Sequence, residues 1–213
     1  MASIANAATG NTRPEPAHRS AGVLIIACGA LAREINAVLA TSGLDHITLT
    51  CLPAILHNRP EKIPEAVRQA IRQGRELGFE RIAIAYADCG TGGHLDRVCE
   101  EENVTRIAGP HCYAFFSGTE AFLDAGDRDM ETFFLTDFLA RHFRTFVIEP
   151  LGLDRHPELR DQYFGNYKRV VYLEQKVDPA IETAAREGAR FLGLAFEKRA
   201  TGYGDLAGFV RSV

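Results

Sequence analysis

Apolar positions along the chain follow two rhythms that take turns. One is the short run of strand length. "GVLIIA" (22–27) is continuously apolar, as in parallel strands buried on both faces. "HITLTCL" (46–52), "RIAIAYA" (81–87), "VTRIAG" (104–109), "RVVYLEQ" (169–175) and "LAFEKRA" (194–200) are further strand candidates. The other rhythm is helical. "GALAREINAVLATSG" sets Leu31, Ile35, Val38 and Leu39 on one face and ends at Gly43. "PEKIPEAVRQAIRQGRELGF" (60–79) starts at a proline and repeats Ile63, Val67, Ala70, Ile71 and Leu77 at helical spacing. "GHLDRVCEEEN", "AFFSGTEAFLDAG", "PAIETAAREGARFLG" and "GDLAGFVRSV" read as helices, and "ETFFLTDFLARHFRTFVIEPLG" as a strand running into one.

Strands alternating with helices predict an α/β fold: a mostly parallel sheet with helices on both faces, Rossmann-like in outline. No linker or repeat interrupts the pattern, so residues 21–213 are expected to form a single domain. The opening "MASIANAATGNTRPEPAHRS" (1–20) has no such pattern and is expected to be a disordered tail. It lacks the basic start and apolar core of a secretion signal, which points to a cytoplasmic protein.

Charge removes two classes of partner. A net charge of -4 supplies no field for a phosphate backbone, so no nucleic acid partner is expected. The longest apolar run, around Val23 to Ala27, is strand-sized, so no membrane partner is expected either.

The cysteines change the picture. Five of them, an odd number without a secretion signal, argue for reduced thiols rather than a disulfide framework. In open parallel sheets, ligands bind beyond the carboxyl ends of the strands. Cys28 directly follows the first strand run, Cys89 lies just past the third, and Cys112, beside His111, lies just past the fourth. Cys51 sits inside the alternating pattern of a strand and Cys99 on a helix, where a cysteine is ordinarily a small buried hydrophobe. Should Cys28, Cys89 and Cys112 converge, a cation would relieve their mutual repulsion. Three sulfurs with His111 or water would suit zinc, and three sulfurs alone an iron–sulfur cluster with one open iron. A metal-free alternative makes one thiolate a nucleophile with His111 as its base.

"DCGTGGHLD" (88–96) leaves a strand and opens a helix. It matches neither the Walker loop nor the dinucleotide fingerprint. Its backbone N–H groups at Gly90, Thr91 and Gly92 could cradle an anionic group of a small-molecule substrate, with Asp88 as orienting or catalytic acid; a plain turn is the alternative. "LGLDRHPELRDQYFGNYKR" (151–169) offers Arg155, His156, Asn166 and Tyr167 as substrate-binding candidates, although Asp154 and Pro157 also suit an ordinary helix start. His57 and Asn58 follow the second strand and could face the same site. "LTDFLARHF" adds Asp137 and His142, five positions apart and so on different helical faces, and "RATGYG" adds Arg199 and Tyr203.

These stretches together resemble the domain of unknown function 1638 family. The resemblance rests on "ACGALAREI" (27–35), "LPAILHNRPEKI" (52–63), "YADCGTGGHLD" (86–96), "GPHCYAFFSG" (109–118), "TFFLTDFLARHF" (132–143), "LGLDRHPELRDQYFGNYKRVVYLEQ" (151–175) and "TGYG" (201–204). It covers Cys28, Cys89, His111 and Cys112, and implies a loose association with corrinoid-dependent methyltransferase systems. On that basis the expected function is a metal–thiolate enzyme, with zinc or an iron–sulfur cluster, for methyl- or thiol-group transfer in one-carbon metabolism. The alternatives are a non-catalytic metal-binding accessory protein docking on a corrinoid protein or methyltransferase, and a metal-free cysteine enzyme.

Overall fold

A computed structural model describes residues 22–213; the expected disordered tail at 1–20 lies outside the described residues. The first strand, β1 (Val23–Cys28), is buried at every position and runs at the centre of a parallel sheet. It pairs on one side with β2 (Ile47–Leu52), on the other with β3 (Arg81–Ala85), and β3 pairs in turn with the two-residue β4 (Thr105–Arg106). Between them run α1 (Ala32–Ser42), α2 (Ile63–Glu76) and α3 (His94–Glu101). Side chains such as Ile25, Ile26, Ile35, Val67 and Ile84 are almost wholly buried, each contributing roughly 1.5–3 kcal/mol.

The short helices α4 (Ala114–Ser117) and α5 (Thr119–Ala125) lead into a second parallel sheet. It is built from β5 (Thr132–Thr136), β6 (Arg169–Glu174) and β7 (Ala195–Ala200), in that order. The helices α6 (Asp137–Arg141), α7 (Arg160–Phe164) and α8 (Pro179–Leu192) complete this half, and α9 (Gly204–Ser212) ends the chain.

The α/β class and the parallel strands agree with the sequence pattern. The strands divide between two sheets, however, where the pattern suggested one. Periodicity tells a strand from a helix but not which strand is its neighbour, and the edge of β4 explains the break. Only Thr105 and Arg106 pair with β3. The Arg106 guanidinium is spent on the Asp96 carboxylate, at 2.5 and 2.9 Å, and on the Ile107 carbonyl. Such a short edge, closed by a charged side chain, is a poor template for another strand.

The two sheets nonetheless share core. Along β6, Val171 and Leu173 pack with β1 and β3, while Val170 and Tyr172 face a second cluster under α6 and α8. From the far end of the chain, Leu206 and Val210 of α9 join the first cluster, and α9 packs on α1 and α4. Gly204 permits this: a Cβ there would lie 2.1 Å from the Phe115 carbonyl oxygen.

Candidate functional site

The end of β1 at Cys28 meets the loops that carry Cys89 and Cys112. Two backbone bonds tie the segments after β3 and β4 together: Asp88 N–H donates to Gly109 O at 3.0 Å and Cys89 N–H to Pro110 O at 2.9 Å. Pro110 has no N–H of its own to misdirect, and the chain then turns so that Cys112 Sγ stands 3.4 Å from Cys89 Sγ. Cys89 itself adopts a left-handed backbone, with φ +48, an arrangement that costs a non-glycine residue about 1–3 kcal/mol and clusters at functional sites. On the other side, Gly29 lets the segment after β2 approach the end of β1. A Cβ at that position would lie 2.9 Å from Leu52 O. The approach brings His57, on the 3-10 turn Ala54–Asn58, to the sulfurs.

These groups line one cavity of about 80 Å³. Cys28, His57, Tyr86, Cys89 and Cys112 form its polar side. Phe134 and Thr136 of β5, with Phe138, Leu139 and Phe146 just beyond it, form its other wall. The aromatic wall is braced: Tyr113 stacks on Phe134 at 5.1 Å, Phe122 meets both edge-on, and Phe138 meets Phe146 edge-on at 5.0 Å. The cavity therefore stands where the carboxyl ends of β1, β3 and β4 meet the carboxyl end of β5.

The thiols perturb one another strongly. The Cys112 thiol hydrogen-bonds toward Cys89 and, with help from His57, lowers its pKa to about 5, against the opposing effect of burial. Cys112 likewise lowers Cys28 to about 7, assisted by the Ala30 N–H and the Tyr86 hydroxyl. As the donor to both, Cys112 has its own pKa pushed far up. His57 is raised by its hydrogen bond to Cys89. Burial and the neighbouring Cys28 keep Tyr86 a phenol; its hydroxyl lies by that sulfur but makes no hydrogen bond of ordinary geometry. Cys112 thus favours ionisation of Cys89 and Cys28 at its own expense, while Cys89 favours the charged form of His57. Among the described residues, no set of three or more His, Cys, Asp or Glu side chains is arranged to hold a metal ion as it stands.

The other sequence candidates fall elsewhere. His111 does not line the cavity; its ring stacks on Tyr113 at 4.9 Å. His57 takes the place beside the sulfurs that the sequence suggested for His111, because adjacency to Cys112 in the chain does not set the direction of the ring. Asp88 folds back on its own loop, accepting from the Thr91 hydroxyl at 2.6 Å and from the Gly93 and Gly92 N–H groups at 2.9 and 3.2 Å. Burial would raise its pKa, but these donors outweigh it and hold the carboxylate below its ordinary value. Gly90 and Thr91 border a separate open cleft next to α2 and α3, and the Gly92 N–H points at Asp88.

Arg155 and His156 are exposed, paired loosely with Asp154 and Glu158 at 3.8 and 3.3 Å. Asn166 is exposed, and Tyr167 packs on Phe133 and Phe164. None of these four lines the cavity. Cys51 is exposed on the edge strand β2, while Cys99 is buried on α3 with its pKa raised to about 11 by burial. The aromatic wall and Tyr86 were missed by sequence reasoning; only their position at strand ends could have signalled them.

Against known proteins, the family model described as "Protein of unknown function (DUF1638)" matches residues 51–210. The chain belongs to that family. The matched stretch holds His57, Cys89, Cys112 and the aromatic wall, and begins after β1 and Cys28. No curated protein and no solved structure matches the chain. Among the described residues, no helix is long and apolar enough to cross a membrane.

Proposed function

We propose that the protein is a metal–thiolate enzyme acting on a small molecule, with Cys28, Cys89 and Cys112 as sulfur ligands and His57 as fourth ligand or proton carrier. The observation that carries this reading is the gathering of three thiols and an imidazole, from four separate segments of the chain, at one small cavity. A single zinc ion fits the donor set better than a cluster. Bonds of about 2.3 Å to a tetrahedral ion put two sulfurs about 3.8 Å apart, close to the 3.4 Å between Cys89 and Cys112, whereas the thiolates of a cluster bind separate irons.

Zinc would supply Lewis acidity and hold a substrate thiol in its anionic form at neutral pH. The chain's own residues do the rest. His57 holds a proton beside Cys89, the Tyr86 hydroxyl offers a donor next to Cys28, and the rings of Phe134, Phe138 and Phe146 exclude water. The loop tied down by Asp88 fixes Cys89. The cavity, about 80 Å³, is well below the roughly 300–1,000 Å³ of small-molecule sites, so it receives the reacting group of a substrate. In a methyl or thiol-group transfer linked to a corrinoid, the association suggested by the resemblance, the corrin ring would stay on a partner protein outside.

Metal analysis of anaerobically purified protein tests the proposal, with Cys28→Ala, Cys89→Ala and Cys112→Ala measured alongside. Near-stoichiometric zinc, lost from each variant while circular dichroism stays native, is the expected result. A second reading, a metal-free nucleophile at Cys89, draws on the lowered Cys89 pKa and its hydrogen bond to His57. It takes over if wild-type protein neither holds nor accepts metal on reconstitution and Cys89→Ala alone abolishes alkylation.

A further inference from the structure

Two of the sulfurs in the thiol cavity stand close enough to react with each other. Cys89 Sγ and Cys112 Sγ are 3.4 Å apart, and a disulfide bond of about 2.05 Å needs them only about 1.4 Å closer. Each sulfur swings about its own Cα–Cβ bond, so two small rotations close that gap. The backbone is prepared as well. A disulfide requires its Cα atoms within roughly 4.4–6.8 Å, and the bonds from Asp88 N–H to Gly109 O and from Cys89 N–H to Pro110 O hold the two segments side by side without one. Cys28 differs: it ends β1 in register with Leu52, at the centre of the sheet, and its backbone is fixed there. Cys51 and Cys99 do not line the cavity. Both Cys89 and Cys112 do, and Cys112 is only partly buried, so the pair is open to a molecule that enters.

We propose that Cys89 and Cys112 form a redox modification site: a small hydroperoxide joins them in a reversible disulfide, which takes two of the three sulfurs away from a metal. The bond itself rests only on the two sulfurs; its effect on metal rests on the thiol-site reading above. Size selects the oxidant. About 80 Å³ is well above the roughly 10–15 Å³ that admits one water and well below ordinary small-molecule sites. Hydrogen peroxide enters, and a bulky oxidant such as glutathione disulfide does not. The Cys89 sulfur attacks one peroxide oxygen, the O–O bond breaks, and the Cys89 proton passes by way of His57 to the leaving oxygen, which departs as water. Cys89 is left as a sulfenic acid, and such an acid condenses with a neighbouring thiol. The Cys112 sulfur attacks it: the S–S bond forms, the S–O bond breaks, and hydroxide leaves as water with the Cys112 proton. Two thiols lose two hydrogen atoms in all, and one hydrogen peroxide becomes two waters.

The test treats the full chain, stripped of metal by a chelator, with excess hydrogen peroxide, then unfolds it and alkylates it with iodoacetamide. The count of free thiols is expected to fall from five to three and to return to five with dithiothreitol. Each cysteine lies in a separate tryptic peptide, so mass spectrometry identifies the partners. A chain that keeps all five thiols, pairs Cys89 or Cys112 with Cys28, or links to a second chain overturns the proposal. In Cys112→Ser, Cys89 should stop at the sulfenic acid and be trapped by dimedone; an unreacted Cys89 in that variant, natively folded, overturns the order of attack. Zinc loaded beforehand should slow the wild-type reaction at least tenfold, and bound zinc that leaves the rate unchanged overturns the link to metal. Protein that accepts no zinc yet forms the bond removes the metal reading and leaves this one standing. Protein that binds zinc but forms no bond once stripped does the reverse.

Discussion

At the carboxyl ends of β1, β3 and β4 the polar atoms are sulfurs, set against phenyl rings in a cavity of about 80 Å³. At the carboxyl ends of β5 and β6 they are carboxylates and a guanidinium around about 320 Å³. Both edges obey the same rule of parallel sheets, and α6 serves both: Phe138 and Leu139 wall the first cavity, Asp137 and Arg141 the second. The difference lies in how each edge balances its charge. The thiols share protons among themselves, so three groups depend on one another. In the second sheet, Asp137 accepts from the Tyr172 hydroxyl and from the Gln175 and Lys176 N–H groups, fixed donors that hold its charge in place. The first edge gathers groups whose protons are shared; the second gathers charges held by fixed hydrogen bonds.

The comparison breaks most visibly at Asp137. Asp137→Ala strips a buried acceptor from Tyr172, Gln175 and Lys176 and leaves Arg141 uncompensated. A loss of about 3–5 kcal/mol is expected, read from urea unfolding. A loss below about 1 kcal/mol would show that the second edge is not organised by this carboxylate. Phe134→Ala comes next, at about 3 kcal/mol for a buried ring. It should also speed alkylation of the thiols by iodoacetamide, because the wall between them and solvent is gone; an unchanged rate would mean the aromatic side does not shield them.

Asp88→Ala removes three bonds that shape the glycine loop, at about 1–3 kcal/mol in total. The sign with pH follows from its lowered folded-state pKa. The stabilisation is fully present above the ordinary carboxylate value and is lost as pH falls through the lower, folded value. Wild type and Asp88→Ala should therefore converge in stability only in strong acid, and convergence at neutral pH would remove Asp88 from this account. Smallest is Cys51→Ser on the exposed edge strand, expected within about 0.5 kcal/mol of wild type and without effect on metal content.

Much of the first edge was legible in the sequence because its parts follow chain geometry. A run such as "GVLIIA" announces a buried parallel strand, and the residue just past such a run lies at the binding edge. Cys28, Cys89 and Cys112 could be ranked above Cys51 and Cys99 on that ground together with the adjacent Gly29, Gly90 and His111. What stayed hidden depends on contacts far apart in the chain. His57, named only as a residue that could face the site, reaches the sulfurs through the close approach at Gly29, and the aromatic wall comes from the second sheet, whose separation no periodicity records. Glu34 looks like an ordinary helix-surface charge, yet the fold leaves it almost wholly buried. The "LDRHPEL" segment lies apart from the thiol cavity, on an exposed turn where Pro157 starts a 3-10 helix, as its helix-start pattern also suggested.

The way α9 returns to α1 has a practical consequence for handling the molecule. Arg211 Nε donates to Ser42 Oγ at 3.3 Å, and Val23 N–H donates to His46 O at 3.2 Å. The start of β1 and the end of α9 therefore both lie near the segment that joins α1 to β2, at the amino edge of the first sheet and opposite both cavities. Neighbouring ends of this kind tolerate circular permutation. A short tether from residue 213 to residue 22, with a new opening in the exposed turn at 77–78, would give a rearranged chain with the same strand order. Immobilising the protein through residue 213 would likewise leave both cavities facing the solution.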